Sequence, residues 1–159
     1  MEPQVVKKPQ LQFVGVETRY ANAKTAAQED HGFMGVWGKF MPNRPKVAQL
    51  AADSSHYAFP VEYPDGSLTY TVAILTKPLS PKAIPQGFVY SEVPAGEYAV
   101  FQVTPEEMGE AEQKKIEQWL KSHPEMKQDM GRHKIEHYPP ECKGADDTMY
   151  SWLPVKRVR

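Results

Sequence analysis

Along the chain, runs in which every second residue is apolar give way to segments whose apolar positions recur at three and four, the periods of strands and helices respectively. Residues 12–20 read as a first strand. Between 24 and 41, Phe33, Trp37 and Phe40 stand at i, i+4 and i+7, a helical stripe. Glycines at 32, 35 and 38 weaken it, since each costs about 1 kcal/mol against alanine in a helix interior. The first half of this stretch is therefore expected to be loop, and the glycines to permit close packing. Tyr57, Phe59, Val61 and Tyr63 then alternate with smaller or polar residues, Pro64-Asp65-Gly66 supplies a turn, and Leu68, Tyr70, Val72 and Ile74 alternate again, which predicts a β-hairpin.

The second half repeats the order. Residues 88–93 and 98–103 read as strands around Pro94-Ala95-Gly96, and Thr104-Pro105-Glu106-Glu107 has the form of a capped helix start. Met108, Ala111, Ile116, Trp119 and Leu120 make the expected buried stripe, with Glu110–Lys114 and Glu117–Lys121 as ion pairs on the wet side and Pro124 as the stop. Residues 133–138 and 149–155 close the chain as strands. The strand, helix, strand, strand order thus occurs twice. It predicts an α+β fold of duplicated strand-helix-strand-strand units with pseudo-twofold symmetry, antiparallel sheets backing two helices, in a single domain over 1–159.

Nineteen basic and twenty acidic side chains among 159 residues leave a formal charge of −1, so no excess positive field exists to bind a phosphate backbone. Cys142 is the only cysteine, no secretory leader is visible, and no apolar run approaches the roughly 20 residues that span a bilayer. The expectation is a cytoplasmic chain without a membrane or direct nucleic-acid partner.

Of the five histidines (His31, His56, His123, His133 and His137), only His133 and His137 have a spacing that shares a strand face, and no third ligand stands nearby, so no metal or other cofactor is expected. No serine lies in a Gly-x-Ser-x-Gly elbow, and Lys156, Arg157 and Arg159 read as a solvated basic end. The distinctive feature is aromatic content: three Trp, eight Tyr and six Phe, concentrated in the alternating strands and helical stripes. Glu136 shares strand parity with Tyr138, and Tyr150 with Trp152, so a carboxylate could stand beside ring faces if those faces meet. Such a site would favour a cation by about 0.5–2 kcal/mol per ring. The spacing is equally compatible with an exposed Glu136 paired to a lysine over an ordinary core.

Several segments carry a family likeness: Gly35-Val36-Trp37-Gly38-Lys39-Phe40, Gly87 to Phe101, Ile116 to Leu120, Ile135-Glu136-His137-Tyr138-Pro139, and Trp152-Leu153-Pro154-Val155-Lys156. Together they resemble the GyrI-like small-molecule-binding domains, which are similar to the effector-binding domains of AraC-type and multidrug-responsive transcription regulators. The resemblance implies a buried glutamate near the C-terminus that neutralises cationic drugs among aromatic rings. Glu136 falls where that glutamate is expected, and Trp37 with Tyr150 or Trp152 falls near the family's ring positions. About ten residues precede the first strand, too few for a helix-turn-helix module. The expectation is a stand-alone binder of amphipathic, cationic aromatic compounds, with Glu136, Trp37, Phe59, Tyr70, Tyr90, Tyr150 and Trp152 as ligand-binding residues. Two alternatives follow from the same resemblance: a hydrolase of cyclopropane-containing toxins with Glu136 as general base, and a protein partner of gyrase or of a regulator.

Overall fold

The computed structural model describes residues 2–28 and 32–158; His31 and Arg159, named above, lie outside them. In chain order the elements are β1 (Gln4–Lys8), β2 (Leu11–Tyr20), α1 (Met34–Phe40), β3 (His56–Glu62), β4 (Leu68–Leu75), β5 (Val89–Val93), β6 (Gly96–Val103), α2 (Glu110–Ser122), β7 (Met126–Gln128), β8 (Ile135–Tyr138) and β9 (Met149–Arg157). The architecture is α+β, with antiparallel strands and two helices. Residues divide into two compact units: Leu11–Glu92, and the residues up to Gln10 together with those from Val93 on.

In the first unit the strands lie in the order β3-β4-β2-β5. The expected hairpin is present, with Tyr57 opposite Ala73 and Phe59 opposite Thr71, and β2 lies along the other edge of β4. Seven of the eight residues of β4 are buried, so both its faces are covered. This explains why its sequence is a nearly continuous apolar and threonine run. The helix is shorter than the stripe suggested. Gly32 has φ +63 and takes the Tyr20 hydroxyl on its carbonyl at 2.9 Å, and the helical turns begin only at Met34. Val36 and Phe40 are buried, while Phe33, at the cap, stacks on Tyr70 with centroids 4.1 Å apart. Gly38 is exposed with open space around it, so the expectation that it permits close packing fails.

In the second unit the order is β1-β6-β9-β8, with β7 also pairing β9. Strands β1 and β7 were not anticipated. β9 pairs with β6 along its length on one side and is shared on the other between β8 (through Trp152) and β7 (from Val155). Pro154, which has no N–H to give, falls at the seam between these two partners, where a strand tolerates it. The carbonyl of Pro154 still accepts from the Asp129 N–H at 2.9 Å.

The capping box at Thr104 forms as expected, with the Thr104 N–H donating to Glu107 Oε1 at 2.9 Å and the Glu107 N–H to Thr104 Oγ1 at 3.3 Å. It caps a three-residue 3-10 turn, not the long helix. Gly109, at φ +99, then breaks the chain direction, and α2 starts at Glu110. Of the expected stripe, Ile116 and Trp119 are buried and Met108 and Leu120 pack partly buried against the same core, while Ala111 departs from it. Ala111 is exposed, and the face turned to the sheet carries Glu112, Ile116 and Trp119. Ile116 and Trp119 pack with Ala99, Phe101, Val103, Met126, Met149, Leu153 and Val155. On the wet side Glu110 and Lys114 pair at 3.4 Å, whereas Glu117 accepts from Gln113.

Candidate functional site

β8 and β9 fix the geometry around Glu136. Directly opposed residues of an antiparallel pair point to the same face. Glu136 is opposite Ser151, while Ile135 and His137 are opposite Trp152 and Tyr150. Glu136 therefore shares the face of Ser151 and Tyr138, and Tyr138 packs against the core built on α2. Tyr150 and Trp152 point from the other face. Alternation within each strand had been readable, but the register between them sets which faces coincide.

On the α2 side, Glu136 is 9% exposed and takes the Tyr138 hydroxyl on Oε1 at 2.5 Å. A second carboxylate stands on that side. Glu112 is 2% exposed, its Oε1 receives the Lys134 ammonium at 2.8 Å, and its Oε2 receives the Ser151 hydroxyl. A carboxylate cannot be buried at tolerable cost without such donors. Ser151 itself is fully buried. It thus sits directly across the strand pair from one glutamate while donating to the other.

On the opposite side of the same strands, His137 lies 5.7 Å from Tyr150 and 5.3 Å from Trp152, and Tyr98 lies 5.9 Å from Trp152. The Lys8 ammonium stands 4.3 Å from the Trp152 ring centroid, and burial lowers its pKa. One face of Trp152 is thus already engaged by a cation from β1, a strand the alternation did not reveal.

The first unit holds the remaining candidates. Tyr70 is buried against Phe33, and Trp37 is half-buried with its ring edge-on to His56 at 6.1 Å. The Arg44 Nε–H donates to His56 Nε2 at 2.9 Å; burial and then Arg44 hold this imidazole below its ordinary pKa. Phe59 shares its face with Thr71 and not with Tyr70, and is buried beside Phe13 at 5.2 Å. Tyr90, half-buried on β5, accepts from Gln12 Nε2 and donates to Glu92 Oε2 at 2.7 Å.

The family model described as integron-associated effector binding protein, Cass2, matches residues 4–155. The chain belongs to the Cass2 family. No curated protein sequence matches closely enough to count as a relative. Among solved structures, SAV2435 bound to tetraphenylphosphonium is similar with a TM-score of 0.73 at 18% identity, over 98% of this chain and 94% of that one. The Vibrio cholerae integron cassette protein Cass2 is similar at 0.51 and 21% identity, over 98% and 97%. A hydrolase from Listeria innocua is similar at 0.54 and 12% identity, over 98% and 92%. The fold is that of a GyrI-like effector-binding domain.

In this Cass2-family domain the residue that sequence reading missed is Glu112. Its signal was present, because it lies four residues before Ile116 and seven before Trp119, on the apolar face of α2. A glutamate there is easily passed over in favour of the neighbouring alanine. Two open hollows beside α2, of about 530 and 320 Å³, are lined by residues such as Lys114, Leu120 and Lys121, and Phe101, Trp119 and His123; none of the seven candidate residues lines either. His133, with Nδ1 2.9 Å from the Lys134 carbonyl oxygen, is held low in pKa by burial. Among the described residues no group of three or more His, Cys, Asp or Glu side chains is arranged to hold a metal, and no helix is long and apolar enough to cross a membrane.

Proposed function

We propose that this domain binds lipophilic aromatic cations, with Glu136 as the counter-ion. The observation that carries the reading is a glutamate only 9% exposed, on β8, in a chain of an effector-binding family. The fold neighbour bound to tetraphenylphosphonium, an aromatic cation, supports the charge and the chemistry of the ligand. A carboxylate withdrawn from water attracts a cation more strongly than a solvated one does, because the local dielectric is lower. Aromatic rings add attraction for a cation that a neutral ligand does not receive. The ring beside the Glu136 carboxylate is that of Tyr138, which shares its strand face and donates its hydroxyl to it. The strand, helix, strand, strand order of both units, each with its last strand in the middle of the three, also supports reading them as a duplication.

Titrating intrinsic tryptophan fluorescence with tetraphenylphosphonium tests the proposal. The wild type is expected to bind, and Glu136→Gln to bind at least about tenfold more weakly, a difference of 1.4 kcal/mol. Equal affinities would remove Glu136 from the site.

A second reading, hydrolysis of a strained cyclopropane-containing compound with Glu136 as general base, draws on the similarity to the Listeria innocua hydrolase and on the Tyr138 hydroxyl poised beside the carboxylate. It ranks below the first because that neighbour is less similar in fold than the cation-bound one, 0.54 against 0.73. Mass spectrometry showing addition of one water to such a compound, lost in Glu136→Gln, would reverse the order.

A further inference from the structure

We infer that the buried Glu112–Lys134 ion pair sets the charge presented around Glu136 to a single net negative, and so makes the site selective for cations carrying one charge. This rests on the reading of Glu136 as ligand counter-ion and adds the valence of the ligand to it.

Ser151 lies directly opposite Glu136 and donates its hydroxyl to Glu112. Lys134, two residues before Glu136, reaches the other Glu112 oxygen at 2.8 Å. Two carboxylates and one ammonium thus lie on one side of the same strand pair, and both carboxylates are withdrawn from water, at 2% and 9% exposure. On an open surface such a lysine would be screened by solvent and salt within a short distance, and its presence would hardly change what binds. Here the screening is weak, so the sum of charges matters: one ligand charge neutralises the group, and a second would leave an uncompensated positive charge.

Ser151 gives the arrangement its rigidity. A hydroxyl on the middle strand, fully buried, holds the Glu112 carboxylate against the strand pair from which Glu136 projects. Lys134 keeps a quarter of its side-chain surface exposed, so its replacement leaves a site that water can reach and does not strip the core. A purely structural tie between α2 and the start of β8 would make the same hydrogen bonds, but it would be indifferent to the valence of a ligand.

The test uses the full chain and two biaryl probes of nearly the same outline, N-methyl-phenylpyridinium with one charge and methyl viologen with two, titrated by isothermal calorimetry. Wild type is expected to prefer the single charge. Lys134→Met, titrated beside wild type at about pH 9 so that a carboxylate deprived of its ammonium stays ionised, takes the group to two net negatives and is expected to move the affinity ratio toward methyl viologen by about tenfold, the effect of 1.4 kcal/mol. Glu112→Gln, which takes the group to zero, is expected to weaken both probes. Glu112→Gln combined with Lys134→Met restores the original sum and is expected to restore the wild-type ratio, an outcome that loss of structure would not produce. Lys134→Gln replaces Lys134→Met if the latter melts at too low a temperature. An unaltered ratio in the folded lysine variant overturns this inference while leaving the counter-ion reading intact. Failure of wild type to bind either probe overturns both.

Discussion

Arg132 shows what one buried charge demands of its neighbours. It is 8% exposed; its Nε donates to Asp129 at 3.0 Å, and Nη2 donates to the carbonyls of Glu97 and Val155 at 2.9 and 3.2 Å. The guanidinium lies 4.6 Å from the Tyr98 ring centroid, where a planar cation gains from the ring face. It also fills the space beside Gly96, so a Cβ there would stand 2.5 Å from Arg132 Cζ. Gly96→Ala is therefore expected to lower stability by about 1–3 kcal/mol in a urea titration, the usual range for forcing an atom into a packed interior. Arg132 cannot swing aside without abandoning its acceptors. At this scale the sequence was only partly legible. Glu136 was singled out by the family likeness and by its strand parity with Tyr138, and it is buried; the meeting of its carboxylate with Tyr150 and Trp152 fails, because the register of β8 on β9 turns those rings to the other face. Glu112 was overlooked, because a carboxylate on an apolar stripe looks like a stray polar residue until Lys134 and Ser151 are seen to converge on it.

Among the elements, β5 and β8 were legible beside the long strands, whereas β1 and β7 were not. β2, β3, β4, β6 and β9 announce themselves by alternation or by continuous apolar runs. β1 is five residues, Gln-Val-Val-Lys-Lys, too brief and too polar to give a period, and β7 is three. The capping box was read correctly as a start signal but attached to the wrong element, since Gly109 interposes a positive φ between the capped turn and α2. Gly109→Ala is expected to cost about 1–3 kcal/mol, the range for holding a side-chain-bearing residue in such a conformation, even though no atom stands within 4 Å of the added methyl. A melting temperature equal to wild type would show that the turn relaxes freely.

For the whole molecule, half-buried histidines make stability depend on pH. Burial and Arg44 depress the pKa of His56, and burial depresses that of His133, from an ordinary value of 6.5. Both are neutral in the folded chain, whereas the unfolded chain takes up protons near 6.5, so stability falls as pH drops through that value. Asp129, held low by the hydrogen bond from Arg132, and Glu107, held low by Lys115, add a second loss below their ordinary values of 3.8 and 4.5 as the unfolded chain protonates first. The melting temperature is expected to be level from pH 8 to about 7, to fall toward pH 5, and to fall again below about 4.5. His56→Asn and His133→Asn are each expected to flatten the first descent. The α+β class was legible at this scale from the switch between strand and helix periods, and the family from the motif likeness, chiefly Gly87 to Phe101.

The central claim is that Glu136 is the counter-ion of an aromatic cation. Its most direct test is a crystal grown with tetraphenylarsonium, whose arsenic can be located by anomalous scattering. The account predicts an arsenic peak within about 6 Å of the Glu136 carboxylate, the reach over which a cation is held by neighbouring rings and charge, and its disappearance in Glu136→Gln. An arsenic peak elsewhere on the chain, undiminished by that substitution, would contradict it.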